Sequence, residues 1–75
     1  MKAYDEVIEF IASRAPRALI DFQPSAEARQ RVWDLIARQR EQSLSPEDAA
    51  ELQHYLELEH LMRLAKSRAR QLLAS

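Results

Sequence analysis

The sequence predicts an all-α protein of three helices, the second and third forming an antiparallel hairpin and the third running on as a long C-terminal helix. Three observations carry this. Glycine is absent, while Ala, Leu, Glu, Gln and Arg dominate, which is the composition of helices joined by few tight turns. Apolar residues recur every three or four positions in three separate stretches. The only breakers are Pro16, Pro24 and Pro46, each tolerated in a first helical turn and disfavoured inside a helix.

The first helix is expected over about 2–13, where Tyr4, Val7, Ile8 and Ile11 stand at the i, i+3, i+4, i+7 spacing of an apolar stripe. Pro16 fixes its end. The connection over 14–24 contains Leu19, Ile20 and Phe22, too apolar for a solvated linker, and is read as a packed loop or a turn of helix. A second helix follows over about 26–41. Ser25 is its N-cap, Glu27 stands in its first turn, and Ala28, Val32, Leu35 and Ile36 form its inner face. In "SLSPED" Ser45 caps, Pro46 takes the first helical position and Asp48 the third, so a third helix starts at 46. Nothing breaks it before about residue 74, and its roughly 29 residues extend about 43 Å. The second helix, at about 26 Å, covers only the first part of it, to about Met62. The remainder needs another cover, either the first helix folding back or a second chain.

Length and composition bound the function. The 75 residues allow a single helical domain, and a chain this short buries only about 60% of the surface its unfolded form exposes. Without cysteine, neither a disulfide nor a cysteine zinc site makes up the difference. Asp5, Glu6 and Glu9 interrupt the start where a secretory signal would be apolar, and no run reaches the roughly 18 apolar residues of a membrane span. A cytoplasmic protein without membrane contact is expected. The net charge of −1 is not that of a typical nucleic-acid binder, yet the charge is unevenly spread. Residues 46–60 carry Glu47, Asp48, Glu51, Glu57 and Glu59 with no Lys or Arg, and residues 61–75 carry Arg63, Lys66, Arg68 and Arg70 with no acid. Helix-dipole complementation accounts for part of that split.

Along the third helix, Tyr55, Leu58, Met62, Ala65, Ala69 and Leu72 alternate spacings of three and four, the seam of a helix packed lengthwise on another. Leu52, Leu56, Leu61 and Leu64 extend the apolar surface beyond what one neighbour covers, which points to a covering helix or a protein interface. Beside the seam Arg63, Lys66 and Arg70 share one stripe, with Arg68 on the opposite flank. That stripe is either a solvated flank or a docking edge for an acidic partner or a phosphate backbone. On the second helix Arg29, Trp33 and Arg40 share a side. Trp33 is expected to pack under the first helix, with an exposed interface anchor as the alternative.

Chemistry is not advertised. His54 and His60, six apart, face different ways on a helix and do not pair as metal ligands. No carboxylate pair has an orienting third group, and without glycine there is no glycine-rich phosphate loop. The expectation is no enzyme and no cofactor.

"LSPEDAAELQHYLELEHLMRLAKSRARQLL" resembles the C-terminal half of a family of small uncharacterised bacterial all-helical proteins, common in cyanobacteria, that carry a similar "YLELEHLMRLAK" segment. "IDFQPSAEARQRVWDLI" is similar to the same family. Members stand beside nuclease or toxin genes, so the resemblance implies an antitoxin-like or accessory role. The chain departs from the family where a glycine usually precedes "LSPE", having Gln42 and Ser43. A left-handed helix-ending residue there costs about 1 kcal/mol more than glycine would.

The functional expectation is a module that binds another protein, such as the product of an adjacent gene, through Trp33, Leu56, Leu61, Met62, Arg63, Leu64, Lys66 and Arg70, with a homo-oligomer as one form. The alternatives are a nucleic-acid-binding regulator using Arg29, Arg40, Arg63, Lys66 and Arg70, and a self-associating structural bundle.

Overall fold

The computed structural model describes Lys2–Ser75, apart from the side chain of Lys2. Those residues form four helices and no strand: α1 (Lys2–Arg14), α2 (Pro16–Asp21), α3 (Ala26–Arg40) and α4 (Pro46–Ala74). The hairpin and the long C-terminal helix are as the sequence predicts. The stretch read as a packed loop or a turn of helix holds the additional helix, α2.

Prolines set the boundaries. Ala15, directly before Pro16, takes φ −150°, ψ 71°, outside the helical region that a following proline ring disfavours, and α1 stops at Arg14. Pro16 then opens α2, where its missing N–H costs no helical bond. Pro24 holds the next break, and Ser25 caps α3 with its hydroxyl accepting from the Ala28 N–H at 3.1 Å. Ser45 does the same for α4, accepting from the Asp48 N–H at 3.1 Å, with Pro46 as the first helical residue.

The end of α3 has its own device. Gln42 adopts φ 59°, the Ser43 N–H donates to the Arg38 carbonyl at 2.9 Å, and the Gln42 N–H donates to the Gln39 carbonyl at 3.0 Å. This six-to-one and five-to-two pair is the Schellman ending, which ordinarily places glycine in the left-handed position. Here glutamine bears the strain of a Cβ.

The described residues gather into two compact units, one taking the chain up to Phe22 together with Glu59–Ser75, the other Gln23–Leu58. Helix α4 contributes to both. In the first unit Ile8, Ala12, Ala65 and Ala69 are buried, the alanines letting helix backbones approach closely. The Tyr4 ring stacks on His60 and the Glu9 carboxylate meets Arg68, so α1 runs parallel to this half of α4. Of the two covers the sequence leaves open, α1 is the one seen. Ile8 and Ala12 supply its buried positions, whereas Val7, placed by sequence on the apolar stripe, is half exposed at its edge.

In the second unit α3 and residues 46–58 of α4 form the antiparallel hairpin, in which Arg38 meets Asp48 and Arg31 meets Glu51. Leu35 and Leu52 are its buried residues. Val32 and Ile36 are half-buried and Ala28 is exposed, so the expected inner face narrows to the line of Leu35. Leu58, predicted for the seam, is 60% exposed. The seam's buried part lies at Ala65 and Ala69, while Leu52 carries the burial within 46–58.

Replacing Gln42 by glycine removes the left-handed strain, partly offset by the greater freedom glycine gives the unfolded chain. Gln42→Gly is expected to raise the unfolding free energy by about 0.5–1 kcal/mol in urea titration.

Candidate interaction surface

The hairpin is stitched by a charge network. Arg31 donates from Nε to Glu51 Oε2 at 2.9 Å and from Nη2 to both Glu51 Oε1 and Asp48 Oδ1 at 3.0 Å. Arg38 reaches Asp48 Oδ2 and Asp34 Oδ2, each at 3.1 Å. Arg31, Asp34 and Arg38 stand at i, i+3, i+7 on α3, so all three project from one edge toward Asp48 and Glu51 on α4. The hydrogen bonds from Arg31 hold the Glu51 carboxyl below its ordinary 4.5, opposed by some loss of hydration and the neighbouring Asp48. Glu51 in turn secures Arg31 in its charged form. In the other unit Arg68 lowers Glu9 in the same way.

An open groove of about 540 Å³ lies in the hairpin unit. Ala28, Val32, Leu35, Ala50, Tyr55 and Leu58 supply its apolar lining, and Arg31, Glu47, Glu51 and His54 its polar lining. It lacks the convergent polar groups of a small-molecule site: the Arg31 guanidinium is consumed by Asp48 and Glu51.

The residues singled out from sequence divide between the two units. In the hairpin unit Trp33 is 65% exposed, against the expectation that it is packed. The first helix covers α4 instead, through Ile8 and Ala12. Leu56 is exposed there, as are Arg29 and Arg40, neither of which makes an ion pair among the described residues. In the other unit Leu61 and Met62 are half-buried and Leu64 is exposed. The basic stripe is broken up. Arg63 is paired to Glu59 one turn earlier, and the Lys66 ammonium donates to the Phe22 carbonyl at the end of α2, which leaves Arg70 without an ion pair among the described residues. Arg68, the outlier of the sequence reading, is the base that ties α4 to α1.

His60 is occupied by the Tyr4 ring while His54 lines the groove, and no group of three or more metal-capable side chains occurs among the described residues. Sequence reasoning missed an outward stripe on α1. Val7 and Phe10 are 47% and 58% exposed, and with Ala3 they repeat at i, i+4, i+7, the signal that would have revealed a second apolar face. The Arg14 guanidinium lies 4.5 Å from the Phe10 ring centroid, a cation–π contact that shields one face of that ring.

No family model, no curated protein and no solved structure matches the chain. No described helix is long and apolar enough to cross a membrane.

Glu51 and Glu9 have folded-state pKa values depressed below their ordinary ones, so the stability they contribute is complete above the ordinary carboxylate range and is lost as pH falls through the lowered values. In acid titration followed by circular dichroism, the wild type is expected to lose stability across that window. Glu51→Gln should show a shallower fall, and an identical pH slope in the two proteins would contradict the Arg31–Glu51 assignment.

Proposed function

We propose that the chain is a small protein–protein interaction module, an antitoxin-like or accessory subunit that binds a partner protein through its long C-terminal helix. The supporting observation is an imbalance of apolar surface. The buried apolar set among the described residues is Ile8, Ala12, Leu35, Leu52, Ala65 and Ala69, half of it alanine, whereas Leu56, Leu58, Leu64 and Leu73 of α4 keep 38–60% of their surface in water. At about 25 cal/mol per Å² of apolar area, covering such side chains is a substantial driving force for association. The antitoxin-like part of the proposal rests on the resemblance of the "LSPE" to "YLELEHLMRLAK" segment alone. The partner would then be the product of an adjacent gene.

A nucleic-acid-binding regulator is less well supported, because Glu59 and the Phe22 carbonyl already engage Arg63 and Lys66. It predicts association that weakens steeply with salt as counterions are released. A self-associating structural bundle uses the same exposed leucines and differs in what is bound.

Co-expression with the product of the neighbouring gene, followed by light scattering on the purified material, separates these readings. A stoichiometric complex is expected, and Leu64→Glu with Leu73→Glu should weaken it by roughly 30-fold or more with helicity retained. A monodisperse monomer that retains no partner would contradict the proposal.

A further inference from the structure

Helix α3 carries Arg29, Arg31, Arg38 and Arg40, and the structure treats them as two pairs. Arg31 and Arg38 are held by Asp34, Asp48 and Glu51 in the hairpin network. Arg29 and Arg40 are exposed and make neither an ion pair nor a side-chain hydrogen bond among the described residues. With Trp33 and Ile36 they stand at i, i+4, i+7 and i+11, and at 100° per residue these four fall within an arc of about 60°. That arc lies roughly 160° around the helix from the network edge. Trp33 is 65% exposed and Ile36 half-buried, so an apolar centre is flanked at either end by an unneutralised guanidinium.

We propose that the Arg29–Trp33–Ile36–Arg40 edge of α3 docks an acidic amphipathic helix of a partner protein, with apolar side chains against Trp33 and Ile36 and carboxylates on Arg29 and Arg40. This deepens the interaction reading and rests on it, adding a contact on α3 to those on α4. Charge decides the occupant. The acids of α3 itself, Glu27 and Asp34, both fall on the far side of the helix, and the C-cap Glu41 makes no ion pair with either arginine among the described residues, so nothing on this edge neutralises them. A second copy pairing through the same edge fails on that account. Antiparallel α3 helices would set Arg29 against Arg40, and parallel ones would set each arginine against its own kind. Nucleic acid fits poorly as well. The two guanidiniums are separated by eleven residues, about 16 Å along the helix, whereas phosphates on one strand recur about every 3.4 Å of rise. Several phosphates would therefore lie unmatched over Trp33 and Ile36. A helical partner satisfies the edge with carboxylates three turns apart and a ridge of apolar side chains between them, in the manner of helix packing.

Trp33 is the only tryptophan of the chain, so its emission reports directly on the edge. The probe is a synthetic helical peptide of about 18 residues, with leucines along one stripe and glutamates eleven positions apart beside it. A charge-reversed twin carries lysines in place of the glutamates. The acidic peptide is expected to shift the emission of the full chain to the blue in a saturable way. R29E/R40E, both at exposed positions and checked for unchanged helicity, should weaken it by roughly tenfold or more and gain binding to the lysine peptide. Equal binding of both peptides, indifference to R29E/R40E or no binding at all would overturn the assignment. So would an emission shift produced by the chain's own concentration, by a single-stranded oligonucleotide or by anionic phosphatidylserine vesicles in place of the acidic peptide. Failure here leaves the co-expression complex standing as the test of the broader reading, and loss of that complex, with the peptide still bound, would instead discard contact through α4.

Discussion

The rest of the structure depends on the length of α4. Its 29 residues extend about 43 Å, while α3, the next longest helix, has 15 residues and extends about 22 Å. No other described helix is long enough to cover it, so each part of α4 takes its own partner: α3 on residues 46–58, α1 on residues 59–74. The two contacts are built from different chemistry. The hairpin combines the buried leucines Leu35 and Leu52 with the Arg31–Asp48–Glu51 network, whereas the other unit closes on alanines, Ala12, Ala65 and Ala69, with Arg68 and Glu9 at the margin. Alanine permits close approach but contributes little apolar area, so such contacts hold helices together without burying much surface.

That economy explains the surface. Small chains spread a limited set of large apolar residues between core and solvent, and here Phe10, Phe22, Trp33 and Leu58 each keep half or more of their area exposed. The ionic contacts do not compensate, because exposed pairs such as Arg63–Glu59 contribute little net stability. Their value lies in direction. Arg31 and Arg38 draw the hairpin together along one edge of α3 and leave Arg29, Trp33 and Arg40 on the other.

Much of this architecture was legible in the residues, because its signals are local. Ser25 and Ser45 are caps by their position ahead of apolar periodicity, while Pro16 ends the first helix and Pro46 opens the last for the reason prolines generally do. What stayed hidden depends on which face meets which neighbour. α2 is six residues long, too short for periodicity to mark, and is held by Pro16 at its start and by the Phe22 N–H bonding back to the Leu19 carbonyl. Leu58 fits the seam by spacing yet lies exposed, and Trp33, expected to be packed, is 65% exposed, because spacing marks an apolar position without saying whether a neighbour covers it. The basic stripe looked continuous in sequence, whereas Glu59 and the Phe22 carbonyl, one a turn away and the other 44 positions distant, take up two of its three cations.

The central claim is that α4 is held in two parts by two different covers. Amide hydrogen exchange along α4 tests it most directly when the wild type is compared with Leu35→Ala, which opens a cavity in the hairpin alone, at a cost of about 2–5 kcal/mol. The account predicts faster exchange around Leu52 with protection retained around Ala65 and Ala69, where Ile8 and Ala12 lie buried in the same unit. Equal loss of protection along the whole helix would contradict it.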